Sequence, residues 1–261
     1  NAKNISTVHS LVEYGKFRPI LYRFTNWLCS KMVFVSEVSR LKYVENKATK
    51  KEKSLVINNG FNLDKNDVKK NTNTTELRKT YGFSIDNFIW IALGRLIPTK
   101  DYLLLLESFL VLYKKDDNVR LLIVGKGQER HKMKKFIVNN SLDSVVVIIN
   151  PIFDIDQIYL MADAYISTSQ FESFGMTLVE AIIFNLPVLS TKNGGAEEIL
   201  YNDKIGLLID NRESSYISSL MLETMSNPKK NIAAYDNLKE KYNIENILDI
   251  WISLYLNTIK K

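Results

Sequence analysis

The 261-residue chain reads as an α/β protein of two wound domains with parallel sheets. Three observations predict this. Between residues 88 and 209, short continuous Val/Ile/Leu runs alternate with longer helical patterns, as in a parallel sheet covered on both faces. A polar stretch without periodicity, residues 62–75, separates this block from a smaller set of strands and helices. Hydrophobic residues make up 46% and charged residues 25%, the balance of a globular chain long enough to bury real cores.

Ile5-Ser6-Thr7-Val8 opens the chain as a strand and ends at His9. A helix over 19–30, a strand over 32–35, a helix over 37–45 and a strand over 55–57 complete the first block. In the second block, strands are expected at 88–93, 120–124, 145–149, 164–168, 187–190 and 206–209, and helices at 102–113, 129–139, 156–162, 177–184 and 196–200. Asn185 closes the fourth of these helices, where Asn tolerates a left-handed cap. Asp154-Ile155-Asp156 has the spacing of a metal-binding acid pair but reads as the cap of the helix at 156. After Ser214 the chain turns helical, and Ile247, Leu248, Ile250, Trp251, Leu254, Tyr255 and Ile259 form an apolar stripe at helical spacing.

Two clusters carry the chemistry. Glu172-Ser173-Phe174-Gly175-Met176-Thr177-Leu178-Val179-Glu180 follows a strand and runs into a helix, with Glu172 just before the helix and Glu180 in its second turn. A strand, a tight turn with Gly and a helix point backbone N–H groups at an anion. Acids so close to a phosphate would repel it, so hydroxyls are what they bind. A ligand with both phosphate and hydroxyls is a nucleotide sugar. Upstream, Gly94-Arg95-Leu96-Ile97-Pro98-Thr99-Lys100 follows the strand at 88–93. Gly94 permits close backbone approach, Pro98 stiffens the turn, and the cations Arg95 and Lys100 suit a diphosphate. Gly125 and Gly127 read either as a simple strand-to-helix turn or as a phosphate contact.

In this order, the two clusters together with Ile123-Val124-Gly125-Lys126-Gly127, Leu186-Pro187-Val188-Leu189-Ser190 and Gly194-Gly195-Ala196-Glu197-Glu198 resemble the nucleotide-binding half of retaining glycosyltransferase family 4, the glycosyl transferases group 1. The resemblance covers roughly residues 54–209 and implies a GT-B fold of two Rossmann-like domains. It divides the chain into a partial acceptor-side domain (1–64), a nucleotide-sugar-binding domain (65–243) and a C-terminal helix (244–261) crossing back to the first domain.

It further implies transfer of a sugar from a nucleoside diphosphate sugar to a glycan or lipid-linked acceptor, as in polysaccharide biosynthesis, with retention and without a metal or other cofactor. Arg95 and Lys100 would hold the diphosphate, Glu172 the donor-sugar hydroxyls and Glu180 the ribose hydroxyls. Gly94 and the backbone of Phe174, Gly175, Met176 and Thr177 would line the donor, and His9 would reach the donor sugar, although a core histidine is the other reading of that residue. Asn150-Pro151 stands where the family usually has a glycine near the base, which leaves the base open. Two domains of about 150 residues each need well over 300 residues. The chain therefore reads as a fragment, or as one half of a split enzyme whose alternative role is a nucleotide-sugar-binding subunit needing a partner.

Composition excludes several classes. No apolar run approaches the roughly 20 residues of a spanning helix, and no secretory signal opens the chain. A single cysteine, Cys29, allows no internal disulfide and fits a reducing cytoplasm; it is expected to pack as a small apolar residue beside Trp27 and Leu28. The net charge of +6, densest from Lys47 to Lys53, reads first as a solvated face and second as attraction to an anionic membrane surface. Nucleic acid is set aside, because the basic residues lie in separate segments without aromatic interleaving. His131 reads as a surface residue, and two histidines this isolated support neither a metal cluster nor a Ser-His-Asp arrangement.

Overall fold

A computed structural model describes residues 3–9, 22, 24, 26–63, 72–201, 205–227 and 232–259. The first unit is a three-stranded parallel sheet in the order β1 (Ile5–Val8), β2 (Lys31–Phe34), β3 (Ser54–Val56), with β1 at its edge. Helix α1 (Glu37–Glu45) connects β2 to β3 and is capped by Ser36, whose side chain accepts from the Ser39 amide at 3.2 Å. Of the helix expected over 19–30, residues 19–21, 23 and 25 lie outside the described residues; within it, Asn26–Leu28 forms a single 3-10 turn. Trp27 and Leu28 on that turn are exposed and Cys29 is half-buried, so the expected apolar packing around the cysteine is not what forms.

The second unit is a six-stranded, all-parallel sheet in the order β6-β5-β4-β7-β8-β9. Its strands are β4 (Phe88–Leu93), β5 (Val119–Val124), β6 (Val146–Ile149), β7 (Ala164–Ser167), β8 (Val188–Thr191) and β9 (Leu207–Ile209). Alternation along β4 sends Ile89, Ile91 and Leu93 into one core and Trp90 and Ala92 into the other. Burial on both faces explains why the strands read as continuous apolar runs.

Helix α2 (Thr74–Thr80) precedes the sheet and begins in the last two residues of the stretch expected to be a linker, of which residues 64–71 lie outside the described ones. Its sequence carries no apolar stripe, but Asn73 caps it by accepting from the Glu76 amide at 3.2 Å. The intervening helices are α3 (Tyr102–Tyr113), α4 (Arg130–Asn139), α5 (Asp156–Met161), α6 (Met176–Ile183) and α7 (Gly194–Ile199). Ile155, not an aspartate, occupies the cap position of α5; the Asp154 carboxylate instead accepts from the Gln157 side-chain amide at 2.7 Å. Asn185, after α6, adopts the expected left-handed conformation at φ 59°.

Three helices finish the described chain: α8 (Ser214–Ser226), α9 (Ile232–Tyr242) and α10 (Ile244–Ile259). α10 lies on the small sheet, where Ile247 is buried with Val33 and Ile57, and Ile5, Trp251 and Leu254 pack around them. Leu248, Ile250, Tyr255 and Ile259 remain exposed, so only one side of the apolar stripe is covered. No helix among the described residues is long and apolar enough to cross a membrane.

Two contacts fix the small sheet against the large unit. The Phe61 amide donates to the Tyr242 carbonyl at 2.8 Å, and the Ile244 amide donates to the Phe61 carbonyl at 3.0 Å. Across α7, the Glu198 carboxylate accepts from the amides of Glu37 and Val38 at the start of α1, at 2.9 and 3.4 Å. An acid facing the positive end of a helix is the favourable orientation.

Candidate functional site

From β4 the chain runs outward to β5 and β6, then returns to β7 on the other side of β4. The loops leaving the carboxyl ends of β4 and β7 therefore diverge and leave a crevice between them, the place where open parallel sheets bind ligands. The β4 loop is Gly94 to Asp101 and the β7 loop is Thr168 to Gly175.

The β4 loop leaves the strand through Gly94, whose φ of 149° is open to glycine alone among common residues. It is braced from below by the β5 turn. A Cβ on Gly125 would fall 2.1 Å from the Gly94 carbonyl oxygen, and one on Gly127 would fall 2.3 Å from that of Leu96. Leu96 also donates its amide to the Lys126 carbonyl at 3.0 Å and accepts from the Glu129 amide at 3.0 Å. Gly125 and Gly127 thus serve close backbone packing, which resolves the two readings of that motif.

The β7 loop turns into α6 through Gly175, left-handed at φ 94°. Phe174 points away from the crevice, buried against Phe61 and Tyr242 with ring centroids at 6.3 and 5.3 Å. That anchor leaves the backbone of 174–177 facing the crevice, and the first amides of α6 have no intrahelical acceptor. Gly195 lies beneath, donating its amide to the Glu172 carbonyl at 3.0 Å; a Cβ there would meet the Phe174 carbonyl oxygen at 2.8 Å.

These loops and the first unit enclose a cleft of about 720 Å³. His9, Arg95, Lys100, Glu172, Phe174, Gly175, Met176 and Thr177 all line it. His9 arrives exposed from the end of β1, so the core reading of that residue does not hold. Asn59, from the segment after β3, also lines the cleft and went unrecognised in the sequence; nothing in its polar surroundings marked it. Gly94 lies beneath the wall, with Lys100 Cε 3.6 Å from where its Cβ would be.

The electrostatics are self-compensating. The Lys100 ammonium donates to the Glu172 carboxylate, so the cation expected to meet phosphate and the acid expected to meet hydroxyls hold each other. Arg95 is exposed at the rim of the same cleft. Glu180 does not line the cleft. It sits three residues beyond Thr177 on α6, about 4.5 Å further along the axis at 1.5 Å per residue.

Glu180 is held by a residue the sequence did not single out. The buried Tyr159 hydroxyl, on α5, donates to the Glu180 carboxylate at 2.6 Å. Burial, and then the Glu180 charge, push the Tyr159 pKa well above its usual value, so it remains a donor. Beside it, the Tyr165 and Thr177 hydroxyls bond at 2.8 Å and tie β7 to the first turn of α6. A tyrosine inside the apolar run 158–161 of α5 was the available signal, since a buried hydroxyl needs a partner. Among the described residues, no three His, Cys, Asp or Glu side chains gather as metal ligands.

The sequence pattern of the family described as Glycosyl transferases group 1 matches residues 73–242, more than half of the chain. A poly(ribitol-phosphate) alpha-N-acetylglucosaminyltransferase of Staphylococcus aureus is 29% identical over 168 residues, covering 62% of this chain and 34% of that protein. Against that relative and an N-acetyl-alpha-D-glucosaminyl L-malate synthase of Bacillus anthracis, the chain spans between 34% and 50% of the relative's length. Among solved structures, a glycosyltransferase from Rickettsia africae superposes with a TM-score of 0.87 at 23% identity, over 100% of this chain and 72% of that one. HepE from Anabaena, in complex with UDP-glucose, superposes with a TM-score of 0.83 at 21% identity, over 98% of this chain and 72% of that one. Both likenesses are of fold, and the fold is the two-domain parallel-sheet GT-B arrangement.

Proposed function

The chain belongs to the glycosyl transferases group 1, and on that premise we propose that it transfers a sugar from a nucleoside diphosphate sugar to a glycan or lipid-linked acceptor, without a metal and with retention at the anomeric carbon. The observation that carries this reading is the single cleft lined by His9, Arg95, Lys100, Glu172 and the amino end of α6. That the S. aureus relative is named as transferring N-acetylglucosamine and HepE was solved with UDP-glucose supports a sugar nucleotide as the donor class.

In this reading the diphosphate lies against Arg95, Lys100 and the free amides of 174–177. As the glycosidic bond breaks, negative charge grows on the departing diphosphate, and preorganised donors stabilise it more than they stabilise the intact donor. The Lys100–Glu172 pair separates to do this: the ammonium turns to phosphate and the carboxylate accepts from the sugar hydroxyls. Glu180, oriented by Tyr159, accepts from the ribose hydroxyls, and His9 closes the cleft over the sugar. Peripheral attachment to an anionic membrane surface, where lipid-linked acceptors reside, would account for part of the +6 charge.

A thermal-shift screen against uridine, guanosine and adenosine diphosphate sugars tests the donor class. A ligand at 100 times its dissociation constant stabilises by about 2.7 kcal/mol. No shift with any of the three would overturn the reading. Transfer by the isolated chain would exclude the alternative, a binding subunit that works only with a partner.

A further inference from the structure

We propose that Arg212, in the loop leading into α8, is a positioning residue for the Lys100 ammonium, acting through Asp101; this rests on the reading of Lys100 as a ligand of the donor diphosphate. Arg212 does not line the cleft. Its effect is on the shape of the β4 loop.

Asp101 ends the 3-10 turn Pro98–Lys100 and precedes α3, with φ 50° and ψ 49°. This left-handed conformation is disfavoured for residues with a Cβ, although Asp is among those that tolerate it. The reversal of the chain at this residue leaves Lys100 on the cleft side while Tyr102 turns into the core.

The surrounding hydrogen bonds converge on Thr99, Lys100 and Asp101. The Thr168 hydroxyl lies 3.2 Å from the Lys100 carbonyl oxygen and 2.9 Å from that of Asp101, sharing its hydrogen between them. The Gln170 amide donates to the Thr99 carbonyl at 2.8 Å. The Asp101 carboxylate accepts from the Gln170 side chain at 3.0 Å and from Arg212 Nη2 at 2.7 Å. The same Arg212 nitrogen donates to the Thr168 carbonyl at 2.9 Å. Arg212 is therefore the charged member of the group that, with Thr168 and Gln170, fastens the left-handed turn to the loop after β7, and so helps to set where Lys100 sits relative to Glu172.

The experiment pairs amide hydrogen exchange in the ligand-free protein with calorimetry using uridine, guanosine and adenosine diphosphates. In Arg212→Ala, exchange at Lys100, Asp101 and Gln170, whose amides donate within this clamp, should rise about tenfold while the amides of β4 and β5 keep their protection. Affinity for the bound diphosphate should fall about tenfold, with Arg212→Lys recovering most of it, since an ammonium can reach both acceptors. Asp101→Asn, which keeps the left-handed tolerance and one acceptor, should fall between the two. Unchanged exchange at residues 100, 101 and 170 would overturn the clamp whether or not any diphosphate binds. Raised exchange with parental affinity, in a protein whose Lys100→Ala variant binds weakly, would leave Arg212 a purely structural role and overturn the proposal. If no diphosphate binds the parent, the site reading fails first, and the exchange data still decide whether Arg212 holds the loop.

Discussion

Replacing Glu198 with alanine should loosen the first unit from the second and weaken the cleft that both of them line. The Glu198 carboxylate accepts from two amides at the start of α1, one at 2.9 Å and one at a weaker 3.4 Å. A hydrogen bond to a charged group contributes on the order of 1.5–3 kcal/mol, and an acid at a helix amino end a further 0.3–1 kcal/mol. Because the site is half-buried and Ser36 still caps the helix, the low end applies, about 1–2 kcal/mol. For a chain of this size that is roughly 2–8 °C in melting temperature. Glu198→Gln keeps a neutral acceptor and should lose about half as much. His9 and Asn59 reach the cleft from the first unit, so donor affinity should fall in the same order, parent, Gln, Ala. Urea unfolding and nucleotide calorimetry on the three proteins would measure both effects. Equal unfolding midpoints for parent and Glu198→Ala would refute the idea that this carboxylate joins the two units.

Lys100→Ala should lose about 10²- to 10³-fold in turnover, as when one donor is removed from an oxyanion site, and Lys100→Arg should recover only part; loss of affinity with parental turnover would remove the leaving-group role. Burial raises the pKa of Tyr102, Tyr159, Tyr165 and Tyr242, so above about pH 10 the unfolded chain releases protons that the folded one keeps. Stability should be complete below that pH and fall as pH rises past it, less steeply in Tyr159→Phe; urea titrations showing a flat profile to pH 11 would contradict the burial of these hydroxyls. Gly127→Ala would place a methyl 2.3 Å from the Leu96 carbonyl oxygen and should destabilise by about 1–3 kcal/mol while shifting the β4 loop, and a parental melting temperature would count against that brace.

How legible a part of this chain is depends on what stabilises it. The strands at the centre of the large sheet are buried on both faces, so continuous runs such as Phe88–Leu93 could hardly lie elsewhere. Helix α2 escaped because periodicity reports burial, and Thr74–Thr80 buries no side chain; the Asn73 and Glu76 pair was the signal to read. Asp154 and Asp156 resemble a cap locally, but the Gln157 side chain competes for Asp154 and the backbone starts its turn at Ile155. Trp27 and Leu28 show the limit of hydrophobicity as a guide, since nothing described packs over them. At the site, the residue types and their order disclosed Arg95, Lys100, Glu172 and the α6 turn, and the structure brings them together with His9. What Tyr159 and Arg212 pair with was not legible, because their partners, Glu180 and Asp101, lie 21 and 111 residues away in sequence. Such pairings come from the winding of the sheet.

The central claim is that a nucleoside diphosphate sugar binds through the cations and Glu172 of this cleft and reaches past Thr177 to Glu180, beyond the cleft wall. Calorimetric titration of parent and Glu180→Ala with the nucleoside diphosphate chosen by the screen tests it most directly. Loss of the ribose contact should weaken binding by roughly 1.5–3 kcal/mol, about 10- to 150-fold. The unfolding midpoint should fall as well, because the buried Tyr159 hydroxyl keeps only the Thr177 carbonyl at 3.4 Å as a partner, at a cost of about 1–3 kcal/mol that Tyr159→Phe in the same background removes. Identical affinities for parent and variant, or no binding of any nucleoside diphosphate by the parent, would contradict the account.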